Sequence, residues 1–213
     1  MTGAAARAGP RSAKRRTAQA LLAGALMLAA AAAVPATPAS APQFARGGAV
    51  PQPVAAHISD ARLAGEGLLR WFGLRVYEAR LWTGPRAPAP ETLARSAFAL
   101  ELRYARALEG RAIAAASRDE IARLDLGTPA QLSAWFDAMA RLFPDVAQGD
   151  RLTGVNLPGS GVAFYRNDRP LGSIDDPDFG PAFFAIWLHR DTAAPELRRS
   201  LLERAGTRGA GDR

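Results

Sequence analysis

The residues able to do chemistry are few. The 213-residue chain has no cysteine and two histidines, His57 and His189. Without thiols there is no thiolate metal site, sulfur nucleophile or redox pair. The histidines stand far apart in sequence, and neither has a partner at metal-ligand spacing. There is no Gly-x-Ser-x-Gly elbow. The glycine-rich stretch 154–161 lacks the Lys-Ser/Thr ending of a phosphate loop. The densest acid run, Asp175-Asp176-Pro177-Asp178, suits a helix N-terminus and has too few ligands for a calcium loop. No metal and no cofactor is expected.

One arginine stands out. If residues 67–83 form a strand, Arg70 shares a face with Leu68, Phe72, Leu74 and Val76, and Arg75 shares the other with Trp71 and Tyr77. A guanidinium buried among apolar groups is costly unless it is paired. Two kinds of partner stay open: a protein carboxylate, Glu66 or Glu101, or an anionic ligand.

The elements that must position these groups are legible from periodicity. Residues 67–83 are apolar on both alternating faces and rich in aromatic and β-branched residues, which favours strand. Gly73 in the middle suggests a bulge or a close backbone approach, and residues 84–90 a loop. Phe98, Leu100, Leu102 and Tyr104 alternate as a half-buried strand. Ser117-x-x-Glu120 has the form of a capping box opening a helix over Asp119–Leu124, the alternative being that 107–116 are already helical. Thr128-Pro129-Ala130-Gln131 opens a second helix, whose stripe of Leu132, Trp135, Phe136, Met139, Leu142 and Phe143 runs to Pro144. Strands follow at 151–157 and 161–166, with 158–160 looping between them. Arg166-Asn167-Asp168-Arg169 is a hairpin tip, and Leu171–Ile174 pairs back. Phe179–Leu188 reads as a buried helix and Pro195–Glu203 as an amphipathic one. The pattern is α+β with a largely antiparallel sheet.

Charge divides the chain. The formal net charge is +7, from 27 basic and 20 acidic residues. Five of the basic residues (Arg7, Arg11, Lys14, Arg15 and Arg16) lie within 1–41, which holds no acid. The rest carries only +2, with arginines scattered among acids, so a nucleic-acid partner is not expected. Residues 11–16 are basic, 18–34 are uncharged and rich in Ala and Leu, and small residues follow Pro35. That order is a secretory signal peptide over 1–41, with a retained anchor as the alternative. The mature chain is then periplasmic or secreted, with no membrane span after cleavage. Residues 42–53 read as a flexible lead-in, 54–203 as one domain and 204–213 as a disordered tail.

Several spaced segments form a pattern: Gly65-x-Gly67, Arg70-Trp71-Phe72-Gly73-Leu74-x-Val76-Tyr77-x-Ala79-x-Leu81-Trp82 and Leu102-x-Tyr104-x-Arg106. It continues with Phe143-Pro144-Asp145-Val146, Gly149-Asp150, Phe164-Tyr165, and Phe183-Phe184-x-Ile186-Trp187-Leu188, and ends with Thr192 and Leu197-Arg198-x-x-Leu201-Leu202. Over about 58–202 this pattern resembles the bacterial chalcone isomerase-like family. The resemblance implies an open-faced sandwich: a large antiparallel sheet, helices layered on one face, and a ligand cleft between them. It also implies either isomerisation of a chalcone or binding of a fatty acid. In the enzymes an Arg positions the substrate and a Tyr, with Thr and Asn partners, supports an enolate. That Tyr follows a Thr-Gly pair; here 108–113 read Leu-Glu-Gly-Arg-Ala-Ile, and no Tyr occurs between 105 and 164. The Thr is replaced near Phe72.

The expectation is therefore an exported, non-catalytic domain that binds a small amphipathic anion. Arg70 and Arg106 would hold the head, with Phe72, Leu74, Val76 and Tyr104 lining the cleft. The alternative is an intramolecular lyase using Arg70 with Tyr77 or Tyr104. A third reading is a periplasmic protein-interaction module of unknown partner.

Overall fold

In the computed structural model the chain is described over residues 49–85 and 92–203. The expected signal peptide, most of the lead-in, residues 86–90 of the 84–90 loop and the tail 204–213 lie outside the described residues. Six strands form one antiparallel sheet whose spatial order follows the chain. They are β1 (Arg62–Trp71), β2 (Leu74–Thr83), β3 (Phe98–Tyr104), β4 (Arg151–Leu157), β5 (Gly161–Arg166) and β6 (Arg169–Ile174). The helices are α1 (Gln52–His57), α2 (Gly110–Arg123), α3 (Pro129–Leu142), α4 (Phe179–Leu188) and α5 (Pro195–Leu202).

Alternation along the strands decides what each face carries. Leu81, Leu100, Gly154 and Phe164 lie side by side across β2–β5. That face meets α2–α5 and holds the main core, with Phe179, Met139, Ile121 and Leu201 fully buried. Trp82, Ala99 and Val155 line the opposite face, which α1 covers through Val54. The lead-in therefore gives way to helix at Gln52, and Val54 is wholly buried.

The largest departure from expectation is in 67–83. This stretch is two strands joined at Phe72-Gly73, not one strand bulged at Gly73. Both turn residues are left-handed, Phe72 at φ +45° and Gly73 at φ +77°. Gly73 suits that conformation; Phe72 does not, at a cost of about 1–2 kcal/mol. Asn167 and Asp168, at φ +49° and +69°, make the expected tip between β5 and β6, where short polar side chains tolerate such angles.

The capping-box reading of Ser117 is also corrected. α2 is continuous from Gly110, and Ser117 sits inside it, its hydroxyl donating to the Ile113 carbonyl at 2.9 Å. The start of α2 is held from outside: the Gly110 amide donates to Asp145 Oδ1 at 2.9 Å, and Leu108 pairs with Val146. The Thr128–Gln131 box at α3 forms as expected. Asp150 organises the far hairpin. It accepts from the Ala147 amide, Arg166 and Asn167 at 2.7–2.8 Å. Burial pushes its carboxyl pKa up, but these donors outweigh that and hold it below the usual range.

Candidate functional site

The sheet and helices leave a cavity of about 100 Å³ between them. Its floor is Leu100, Leu102 and Tyr104 of β3, with Leu152 and Gly154 of β4 and Phe164 of β5. One wall is a face of α2: Ala112, Ile113, Ala116, Ser117 and Glu120. The other is Phe183, Phe184, Ile186 and Trp187 of α4. The helical spacing of the α2 set puts it on one side of that helix. Gly154 keeps room for the α4 ring above it: a Cβ there would lie 3.3 Å from both Phe164 and Phe184.

A second cavity, of about 110 Å³, adjoins the first. Leu69, Arg70 and Trp71 of β1 and Thr192–Ala194 line its outer side. The two cavities share Val76, Tyr77, Glu120, Ile186 and Trp187. The shared wall is tied together by the Trp187 indole N–H, which donates to the Tyr77 hydroxyl at 2.8 Å.

The polar groups of the inner cavity are few, and most are already engaged. Tyr77 and Tyr104 stand directly opposite across β2 and β3, rings edge to face at 5.9 Å. Burial raises both phenols far above their ordinary range; Glu120 adds to the rise at Tyr77, partly offset by the bond from Trp187. Both stay neutral donors at any physiological pH. Glu120 is buried and accepts from Arg123 Nε at 2.9 Å. Among the described residues, no guanidinium lines the inner cavity.

The expected site residues separate on this geometry. Val76, Tyr77 and Tyr104 line the inner cavity. Phe72 and Leu74 do not line the cleft; they sit on the hairpin tip, 85% and 55% exposed. Arg70 is not a buried charge. It is exposed near that tip, and its Nη1 donates to the Gly73 carbonyl at 3.2 Å. The expected carboxylates are taken elsewhere: Glu66 pairs with Arg80 at 3.1 Å and Glu101 with Arg151 at 3.6 Å. Arg106 is half-buried and lines neither of the two cavities.

Sequence reasoning missed Glu120 and Trp187 as cavity residues. A signal existed for Glu120: with Ile113 and Ser117 it forms a stripe that puts an acid on the apolar side of α2. Among the described residues, no group of three His, Cys, Asp or Glu is placed to hold a metal, and no helix is long and apolar enough to cross a membrane.

The architecture and the position of its cleft can now be set beside known proteins. The family profile described as chalcone isomerase-like matches residues 44–203. The chain belongs to the chalcone isomerase-like family. No curated protein sequence matches it. Among solved structures it is similar to a fatty-acid binding protein of Arabidopsis thaliana, with a TM-score of 0.53 and 14% identity. That match covers 69% of this chain and 89% of the other. The antiparallel sheet and its helical layer are thus those of a chalcone isomerase-like protein.

Proposed function

We propose that this chalcone isomerase-like protein is a non-catalytic carrier of an amphipathic anion such as a fatty acid. The observation that carries the reading is the pair of adjoining cavities, the inner one apolar and the outer one bearing Arg70. Charge sets the orientation. The inner cavity is lined mainly by apolar side chains, whereas the outer one carries Arg70, so the hydrocarbon enters and the head stays outside with Arg70. At a water-like ~30 Å³ per carbon group, the two cavities together hold roughly seven such groups. A medium-length acyl chain would fill both once the Tyr77–Trp187 wall parts to let it through. That the similar Arabidopsis protein is named for fatty-acid binding supports the ligand class.

The chemistry of the cavity favours holding over turnover. Stabilising an enolate needs donors aimed at it and a positioned substrate. Here the Tyr77 oxygen accepts from Trp187 and keeps its own proton, but Arg70 lies beyond the wall and no guanidinium of the described residues shares the inner cavity to position a substrate. The opposed phenols of Tyr77 and Tyr104 keep one other reading in play, an intramolecular lyase. Loss of chalcone absorbance above the uncatalysed rate, abolished by Tyr104→Phe, would support that reading against ours.

Export completes the proposal and rests on the order of charge and hydropathy in 1–41. A mature mass lacking that segment, from protein recovered outside the cytoplasm, is the expected result. For the carrier role, native mass spectrometry of gently purified protein should show a bound small molecule, and fatty-acid titration should saturate at one per chain. Protein that is empty and indifferent to fatty acids would overturn the reading.

A further inference from the structure

The β1–β2 turn is built against the interests of the fold. Phe72 takes a left-handed conformation that favours Gly or Asn, and the residue is 85% exposed. Leu74 beside it is 55% exposed. Arg70 and Arg75 face each other across the two strands, where like charges repel. Residues 70–75 include no acid, and neither arginine has a carboxylate partner among the described residues. Trp71 packs edge-on against Phe72 with centroids 4.5 Å apart. Among the described residues, the contacts the turn gains are local: the Arg70–Gly73 hydrogen bond and the Trp71–Phe72 ring contact.

We propose that the Phe72–Leu74 tip, flanked by Arg70 and Arg75, is a docking surface for an anionic lipid bilayer. Exposed aromatic and aliphatic side chains enter the interface between headgroups and acyl chains. Arginines beside them meet the anionic headgroups, so the charges that repel within the hairpin gain a shared counter-charge. The surface is continuous with the outer cavity, because Arg70 and Trp71 belong to both. A docked molecule would hold that cavity next to the membrane, where amphipathic anions are concentrated. The inference goes beyond ligand binding, and the two fail separately.

The test is vesicle flotation with the full chain, comparing phosphatidylcholine vesicles with and without phosphatidylglycerol. The basic N-terminal segment contributes to both measurements, so the informative contrast is with Phe72→Asn/Leu74→Thr. Asn suits the left-handed position and Thr suits a strand, so this variant should melt no lower than the parent. It should nonetheless lose roughly tenfold or more in partitioning to phosphatidylglycerol vesicles. Lipids brominated in their acyl chains should quench emission of the parent, and Trp71→Phe should remove most of that quenching. Equal partitioning of parent and double variant would overturn the assignment. So would equal partitioning to both vesicle types, or quenching that survives Trp71→Phe. A tip occupied by a second copy or a protein partner would appear as no difference between parent and variant, and is likewise a refutation. Fatty-acid titration of the double variant reads the cavity independently and should match the parent.

Discussion

Filling the inner cavity from α2 separates a ligand site from a packing defect. Ala112 and Ala116 both line it from that helix. The variant Ala116→Leu adds about three carbon groups, which is what the inner cavity holds at ~30 Å³ each, at little helix-propensity cost, since Leu nearly matches Ala. A cavity of about 100 Å³, at ~24 cal/mol per Å³, corresponds to roughly 2.4 kcal/mol of recoverable stability. Strained rotamers would take back about 1–3 kcal/mol. The expected net effect on the ligand-free protein lies between about −0.6 and +1.4 kcal/mol. That corresponds to a melting temperature between ~2 °C lower and ~6 °C higher. Binding should respond in the opposite sense. Denying room to about three methylenes costs roughly 2.4 kcal/mol, a loss of fatty-acid affinity of about 60-fold. The assays are thermal unfolding of ligand-free protein and calorimetric titration with a medium-chain fatty acid. Destabilisation by more than about 2 kcal/mol would mean there was no space to fill. Unchanged affinity would place the ligand elsewhere. Either result refutes the reasoning.

Three further predictions follow from particular contacts. Arg70→Gln should weaken fatty-acid binding by roughly tenfold while leaving binding of the matching fatty alcohol unchanged, because only the charged head uses the guanidinium; calorimetry on the pair of ligands reads the difference. Asp150→Ala should cost about 1–3 kcal/mol in chemical denaturation, since it strips the Ala147 amide, Arg166 and Asn167 of their acceptor. As the folded carboxyl pKa lies below the unfolded one, that contribution is fully present above the unfolded pKa of about 4 and is lost as pH falls through the folded value; the parent should therefore lose its advantage over the variant in acid. Gly65→Ala should destabilise by more than about 2 kcal/mol, because its Cβ would lie 2.2 Å from the Ser200 carbonyl oxygen and force β1 away from α5; a midpoint equal to the parent's would contradict that close approach.

What could be read from the sequence was whatever a local pattern announces. Strict alternation in Phe98–Tyr104 announced β3. Thr128-Pro129 with Gln131 announced α3, and Asn167-Asp168 announced the last hairpin. The β1–β2 hairpin was hidden because Phe72 stands where a turn usually shows Asn or Asp, and apolar residues continue on both sides. Merging two strands into one put Arg70, Phe72 and Leu74 on a buried face and made a surface arginine look like a buried charge. The cavity was legible only in part, since its walls come from β2, β3, β4, β5, α2 and α4, and no spacing links Tyr77 to Trp187, 110 residues away. The family resemblance placed a cleft between sheet and helices, but not the acid on its wall.

The most direct measurement is a crystal structure of the protein with a medium-chain fatty acid. The account predicts hydrocarbon density in the inner cavity, between α2 and β3, passing the Tyr77–Trp187 wall, with the carboxylate within ion-pair distance of Arg70. An empty or collapsed inner cavity with the fatty acid bound elsewhere, or a carboxylate seated beside Glu120, would contradict it.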